Sequence, residues 1–397
     1  MNTREKIIES TISLWSGPDM SGPSMRAILK KSDITAPSLY HRFDSLYHLY
    51  RESHEAALTL AERWLDARLE ELDGETPLHP RAFAPLMAVL IHRWCHECRN
   101  LAFARFECVL ETMRRDEATD IAFRWEILWR NFWQAVSERC GLADAGEATG
   151  ALASGLSLAH LIPIRPTVDR CCIEEACRGW VDWCLGSRAT ENRWHEFALA
   201  AASSGNGPIK RPAGKALPLA EAAANLLVEK GTGEVTHRGV AAAAGVSTGA
   251  VAHYFRTVDD LLCGAFAAIY WRTMPSEQAL AEAGGSTPPP AYSVRTLIDP
   301  PKRDWWPVIG WVEFHLALAR DPALAALAPR IRYRGGHMSK RFLEAMLPPG
   351  SESGQTDRAL FAHWVFGIRM QIAAGRSDPG FYRKSTAWFT ETVSKLR

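Results

Sequence analysis

The sequence has no run of eighteen or more uncharged apolar residues, so no membrane-spanning helix is expected. Its opening, MNTREKIIES, is charged and lacks an apolar segment, which argues against a signal peptide. Charge of one sign is not in excess: 46 Lys and Arg stand against 45 Asp and Glu, a net charge of +1. That balance excludes a long acidic or basic tail but leaves room for a local basic patch. No glycine-rich nucleotide loop, no strand-turn-helix nucleophile elbow and no HExxH occurs, so the chain is not read as an enzyme and no cofactor is implied. No paired CxxC knuckle exists either. The nine Cys are an odd number without small-scaffold spacing, which reads as reduced thiols in a cytoplasm.

Strand-type alternation is also rare. What fills the 397 residues is helical: apolar positions recur at spacings of three and four, rich in Ala, Leu and Glu. Breakers cluster at 73–80, 141–150, 203–218, 284–290 and 347–355. The stretch SSGNGPIKRPAGKALP (203–218) divides the chain nearly in half and reads as the interdomain linker.

The two halves share a pattern. At a constant offset of 212, residues 24–50 lie on residues 236–262 without a gap. Four of those 27 positions are identical: Arg26/Arg238, His41/His253, Phe43/Phe255 and Leu49/Leu261. Seven more are close in type, and the same offset carries GLSL (155–158) onto GIRM (367–370). Each segment reads as short helices joined by a tight turn. In the second, residues 217–230 form an apolar helix stopped by Gly231. Thr236 caps the next helix, Gly245 makes the turn with positive φ, and Ser247 caps a third carrying Val251 and Phe255 on one face. Thr257 and Asp260 open a fourth through a capping box. In the first, Ser24 caps, Asp33 turns, Thr35 caps, and Leu39 and Phe43 pack.

In a helix-turn-helix the third helix enters the major groove. Its outward residues are Thr35, Ala36, Pro37, Ser38, Tyr40, His41 and Arg42 in one copy, and Ser247, Thr248, Gly249, Ala250, His253 and Tyr254 in the other. Ser24 with Arg26, and Thr236 with Arg238, open the second helices, where backbone N–H groups favour a phosphate. All seventeen are candidate DNA-binding residues.

VTHRGVAAAAGVSTGAVAHYFRTVDDLL (235–262) resembles the DNA-binding helix-turn-helix of TetR-family transcriptional regulators, and SMRAILKKSDITAPSLYHRFDSLYHLY (24–50) is a more divergent version. FHLALARDPALAALA (314–328) is similar to a helix pair of the family's ligand-binding domains. Members are usually about half this length and act as homodimers, so the resemblance implies two subunits fused. Leu46 and Val258 stand where the family commonly has a phosphate-contacting Lys; Ala252 replaces a frequent Tyr that Tyr40 keeps in the first copy, and Lys30 and Lys31 make the first copy more basic, so two non-identical half-sites, or one copy binding better than the other, are expected.

The expected fold is therefore all-α: two tandem copies of a three-helix helix-turn-helix domain followed by a helical ligand-binding and dimerisation bundle. The boundaries are 1–50, 51–202, linker 203–215, 216–262 and 263–397. The last helices of each half, around 151–186 and 357–397, are expected to form the interface between copies. The resemblance implies a pocket for an apolar or aromatic effector in each bundle, with Trp94, Phe103, Phe106, Trp125, Trp129, Trp306, Trp311, Phe314, His315 and Trp364 as candidates. Helical spacing places the same aromatics in the core first.

IHRWCHEC (91–98) puts His92, Cys95 and His96 on one helical face, a spacing that suits Zn²⁺, but buried Cys is also an ordinary small hydrophobe, and no metal is assigned. The basic run GPIKRPAGK (207–215) reads as solvated linker. The expected partners are a double-stranded DNA operator and a small-molecule effector, with no membrane. The copies pair within the chain, and further homodimerisation is left open. The expected function is a cytoplasmic, ligand-responsive repressor. The alternative is a small-molecule-binding or protein-interaction helical protein that has lost DNA binding in one or both copies.

Overall fold

The computed structural model describes residues 2–17, 22–74, 78–115, 119–205, 209–273, 305–325, 327–333, 339–374, 380 and 382–396. Parts of the linker (206–208) and the proline-rich stretch at 284–290 lie outside them, as do 375–379, 381 and 397 of the expected interface region. Among the described residues every regular element is a helix.

The first half opens with a three-helix unit, α1 (Thr3–Leu14), α2 (Met25–Ser32) and α3 (Ala36–Tyr40), followed by the long α4 (Leu46–Glu70). A bundle follows: α5 (Phe83–Glu97), α6 (Arg99–Arg114), α7 (Thr119–Arg139), α8 (Gly146–His160), α9 (Pro166–Cys184) and α10 (Arg193–Gly205). The second half repeats the opening with α11 (Ala216–Lys230), α12 (His237–Ala244), α13 (Thr248–Tyr254) and α14 (Val258–Thr273). It continues through α15 (Trp306–Arg320), α16 (Ala328–Tyr333), α17 (Lys340–Glu344), α18 (Gln355–Ala374) and α19 (Arg383–Lys395).

Local chemistry sets the turns. Ser24 accepts a hydrogen bond from the Ala27 N–H, and α2 ends at Asp33 with φ 56° and ψ 52°. Thr236 accepts from the Gly239 N–H, and α12 ends at Gly245 with φ 67° and ψ 32°. Both segments thus turn through the left-handed region, Gly at no steric cost and Asp at a tolerated one. Ser247 caps α13 through the Ala250 N–H. Thr257 and Asp260 form the reciprocal capping pair at 3.0 Å in each direction. Thr35 differs from expectation: it occupies the cap position but makes no capping bond. Pro37, second in that helix, removes one of the two N–H groups such a cap can use, and the other, on Ser38, is not bonded to Thr35.

The two three-helix units are bedded differently. Ile7, Ile28, Leu39, Phe43 and Leu49, all fully buried, make a small core of their own in the first. In the second, Val240, Val251, Phe255 and Leu261 belong to the main core.

Helix α8 is the hub. Its sequence GEATGALASGLSLAH is rich in small residues, and all but Glu147 is buried. The most extensive helix pairing in the molecule is α8 with α18, and α9 and α19 complete a four-helix layer between the halves. Two glycines allow the crossing. A Cβ on Gly155 would lie 2.2 Å from the His363 carbonyl oxygen, and one on Gly367 would lie 1.8 Å from that of Ala151. The 212-residue offset carries Gly155 onto Gly367 and Ala151 onto His363, so the contact is reciprocal. Beneath α8, Arg105 and Glu126, both fully buried, pair 2.5 Å apart, and Arg105 also donates to Ser154 Oγ at 2.9 Å.

Candidate nucleic-acid interface

The outward faces of α3 and α13 carry the candidate residues. Thr35, Pro37, Tyr40 and His41 are exposed, with Ala36, Ser38 and Arg42 half-buried. Ser247, Thr248, Gly249, His253 and Tyr254 are exposed and Ala250 is half-buried. Arg26 and Arg238 are exposed in the first turns of α2 and α12, and the half-buried Ser24 and exposed Thr236 cap those helices. Each helix start therefore combines its first-turn backbone N–H groups with an exposed arginine, residue types that suit phosphate contacts. Arg42 bends back along α3, its Nη1 donating to the Ser38 carbonyl and hydroxyl, each at 2.9 Å. Its guanidinium is thereby set beside Ser38, at the middle of α3.

Each three-helix unit is held by an arginine from the opposite half. Arg320 of α15 donates to the Trp15 carbonyl at the end of α1, through Nε at 2.9 Å and Nη2 at 2.7 Å. Arg114 of α6 donates to the Val228 carbonyl at 2.9 Å and the Leu227 carbonyl at 3.2 Å, near the end of α11. The 212-residue offset carries Trp15 onto Leu227. The acids are reciprocal too: Arg320 pairs with Glu107 of α6, and Arg114 pairs with Glu313 of α15. Sequence reading missed these four residues because α6 and α15 match at an offset of 206 rather than 212. Allowing that slip would have aligned Glu107 with Glu313 and Arg114 with Arg320.

Arg114 and Glu313 are 5% and 4% exposed, so neither charge has water to fall back on. Arg114→Met is expected to lower stability by about 3 kcal/mol, since it strands a buried carboxylate. Urea unfolding at pH 7.5 measures this, and adding Glu313→Gln should restore most of the loss.

The expected effector residues sit as packing. Trp94 tilts against Trp64 and Trp129 at 5.6 and 5.3 Å, and Trp129 donates to the Gly150 carbonyl at 3.0 Å. Phe103 lies against the guanidinium groups of Arg99 and Arg320, at 5.0 and 4.8 Å, and Phe106 beside that of Arg105. Phe314 stacks on Phe266 at 4.3 Å, and Trp364 on Phe389 at 3.5 Å. Trp306 donates to Asn225, while Trp311 and His315, one turn apart, meet with their rings tilted at 5.2 Å. The indole N–H groups of Trp94, Trp125 and Trp364 are buried with no hydrogen-bond partner among the described residues. A small pocket lies elsewhere, between α8, α9, α10, α16 and α18, with His160, Cys172, His195, Arg332, Tyr333 and His363 among its walls.

Residues 219–263 match the family described as bacterial regulatory proteins, tetR family. Residues 78–183 match the domain described as tetracyclin repressor-like, C-terminal. Two segments of the chain are thus similar to TetR-family domains. The DNA-binding match covers α12 and α13, and the C-terminal match covers α5 to α8 and nearly all of α9. Domains of these two kinds make up ligand-responsive transcriptional regulators. In this chain the C-terminal type precedes the N-terminal type. No curated protein matches the sequence. Among the described residues no helix is long and apolar enough to cross a membrane.

Proposed function

We propose that the chain is a ligand-responsive repressor in which two TetR-type units, fused in one polypeptide, pair internally as the subunits of a dimer do. The reciprocity of the contacts between halves carries the reading. In a two-fold interface residue i meets j and j meets i. Gly155 with His363 and Gly367 with Ala151 follow that rule, as do Glu107 with Arg320 and Glu313 with Arg114. The order of the two domain matches supports it as well, because one family unit would place them the other way round.

On this reading α3 and α13 occupy successive major grooves, roughly 34–36 Å apart. Their outward residues differ, so the half-sites differ. The effector enters a helical bundle, with α5 to α8 the better supported site. The arginine grips give the route from bundle to DNA. A ligand that shifts α6 or α15 moves Arg114 or Arg320, and with it the end of α11 or α1. DNA affinity then falls by as much as the ligand prefers the shifted state.

The test is binding of the purified protein to DNA from its own upstream region across a salt series. One chain per operator is expected. Arg238→Ala and Arg26→Ala should each weaken binding several-fold and lower the salt slope by about one, the signature of one lost phosphate contact. Two chains per operator with only Arg238→Ala effective would mean that α11 to α13 alone bind DNA, and the fused-dimer reading would fall.

A further inference from the structure

We propose that His92, His96 and His160 form a binding site for a divalent transition-metal ion of the zinc class, between α5 and the C-terminal end of α8. One ring nitrogen from each residue lies within 4.8 Å of the other two. His92 and His96 stand one turn apart on α5, the spacing at which a helix offers two imidazoles to one metal. His160 comes from the last position of α8. His92 Nδ1 and His160 Nε2 are 3.1 Å apart. Metal–nitrogen bonds of about 2.0–2.1 Å in tetrahedral geometry put ligand atoms roughly 3.3 Å apart, so this pair already stands at ligating separation. His96 Nδ1 faces the His92 carbonyl oxygen at 2.9 Å. Donation along that contact leaves Nε2 as the ligand atom, and a second hydrogen bond of this kind orients most metal-bound histidines.

The chemistry selects the ion. Three imidazoles with no carboxylate among them favour zinc, copper, nickel or cobalt over magnesium and calcium. His160 is buried, His92 half-buried and His96 exposed, so the cluster opens to water on one side, where solvent can supply a fourth ligand. Arg332 and Arg170 oppose a dication here, and Glu97 favours it. The nearby thiols take no part. Cys95 donates to the Ser157 carbonyl at 3.4 Å, and neither Cys95 nor Cys98 belongs to the cluster of converging ligand atoms.

The site also contains a competitor. Arg332 of α16 donates to His160 Nδ1 at 2.8 Å, so the ring carries its proton on Nε2 and donates it toward His92. A metal at Nε2 moves that proton to Nδ1, which can then no longer accept from a guanidinium. Arg332 keeps Asp169, at 3.1 Å, and the Ile162 carbonyl. Metal occupancy and the Arg332–His160 contact therefore exclude each other, and that contact joins the two halves of the chain. The inference does not rest on DNA binding.

The experiment is titration of the full chain, free of any affinity tag, with Co²⁺ by visible absorption and with Zn²⁺ by calorimetry. One equivalent is expected to bind, with the absorption bands of tetrahedral Co²⁺. His96→Gln, at an exposed position, should keep the fold and weaken binding at least tenfold, and His160→Gln should abolish it. Arg332→Gln should tighten binding roughly tenfold by removing both the competing contact and a positive charge. No stoichiometric binding, or unchanged affinity in His96→Gln, overturns the site. Unchanged affinity in a folded Arg332→Gln overturns the competition.

Discussion

Gly367→Val is expected to cost more than about 5 kcal/mol and to lower the melting temperature by at least about 10 °C. The Cβ would fall 1.8 Å from the Ala151 carbonyl oxygen, about half an ordinary contact distance. The obstructing atom is backbone in the middle of α8, so no rotamer change relieves it. α18 must instead lift off α8 along the most extensive helix pairing among the described residues, and every dispersion contact across the seam weakens at once. Gly155→Val should do the same through the His363 carbonyl, because the crossing is reciprocal. Gly249→Ala is the control: it is exposed in α13 with only the Ser247 hydroxyl nearby, at 3.9 Å, and should be neutral or slightly stabilising. Thermal unfolding of the three variants checks all of this. A Gly367→Val protein melting within a few degrees of the parent would mean that the seam can slide, and that the halves are held together elsewhere.

What the sequence disclosed about these helices follows the range of the forces that shape them. The caps Ser24, Thr236 and Ser247 and the turns at Asp33 and Gly245 are set by bonds within four residues, so their spacing alone located them. Thr35 stands at the cap position without a capping bond, which its spacing did not disclose. The GLSL/GIRM correspondence marked the crossing of α8 and α18 but not why glycine stands there. That reason is a carbonyl oxygen some two hundred residues away. The arginine grips were hidden by a six-residue slip in register between the halves. His160 was invisible as a companion of His92 because the two lie 68 residues apart and meet only when α5 packs beside α8. Helical spacing identified the tryptophans as core, while the indole N–H groups left unpaired in that core depend on packing that no periodicity encodes.

Acid should unfold the protein early, and buried histidines are the cause. His54, His160 and His315 are only 5–6% exposed. His54 lies against Trp15 at 4.4 Å with its Nδ1 unpaired, and His315 faces the Trp311 carbonyl oxygen at 2.8 Å. Burial lowers the pKa of His54 and of His315 to about 4, and that of His160 to about 2. An unfolded histidine titrates near 6.5. Below that pH the unfolded chain takes up protons that the native rings refuse, so stability falls as pH falls from about 6.5 toward 4. Each group contributes a slope of about 1.4 kcal/mol per pH unit, and the three together remove roughly 6 kcal/mol by pH 5, against a typical total of ~5–15 kcal/mol. Glu126 works in the opposite sense, since burial holds its carboxyl above the usual range, and it offsets part of the loss. Urea unfolding at intervals from pH 7.5 to 4.5 should show the decline. His54→Phe keeps a ring against Trp15 and removes one titration, so its slope should be shallower by about 1.4 kcal/mol per unit between pH 6 and 4.5. A parallel slope in that variant would mean that His54 already gains its proton in the native state, and that the stack on Trp15 opens to water.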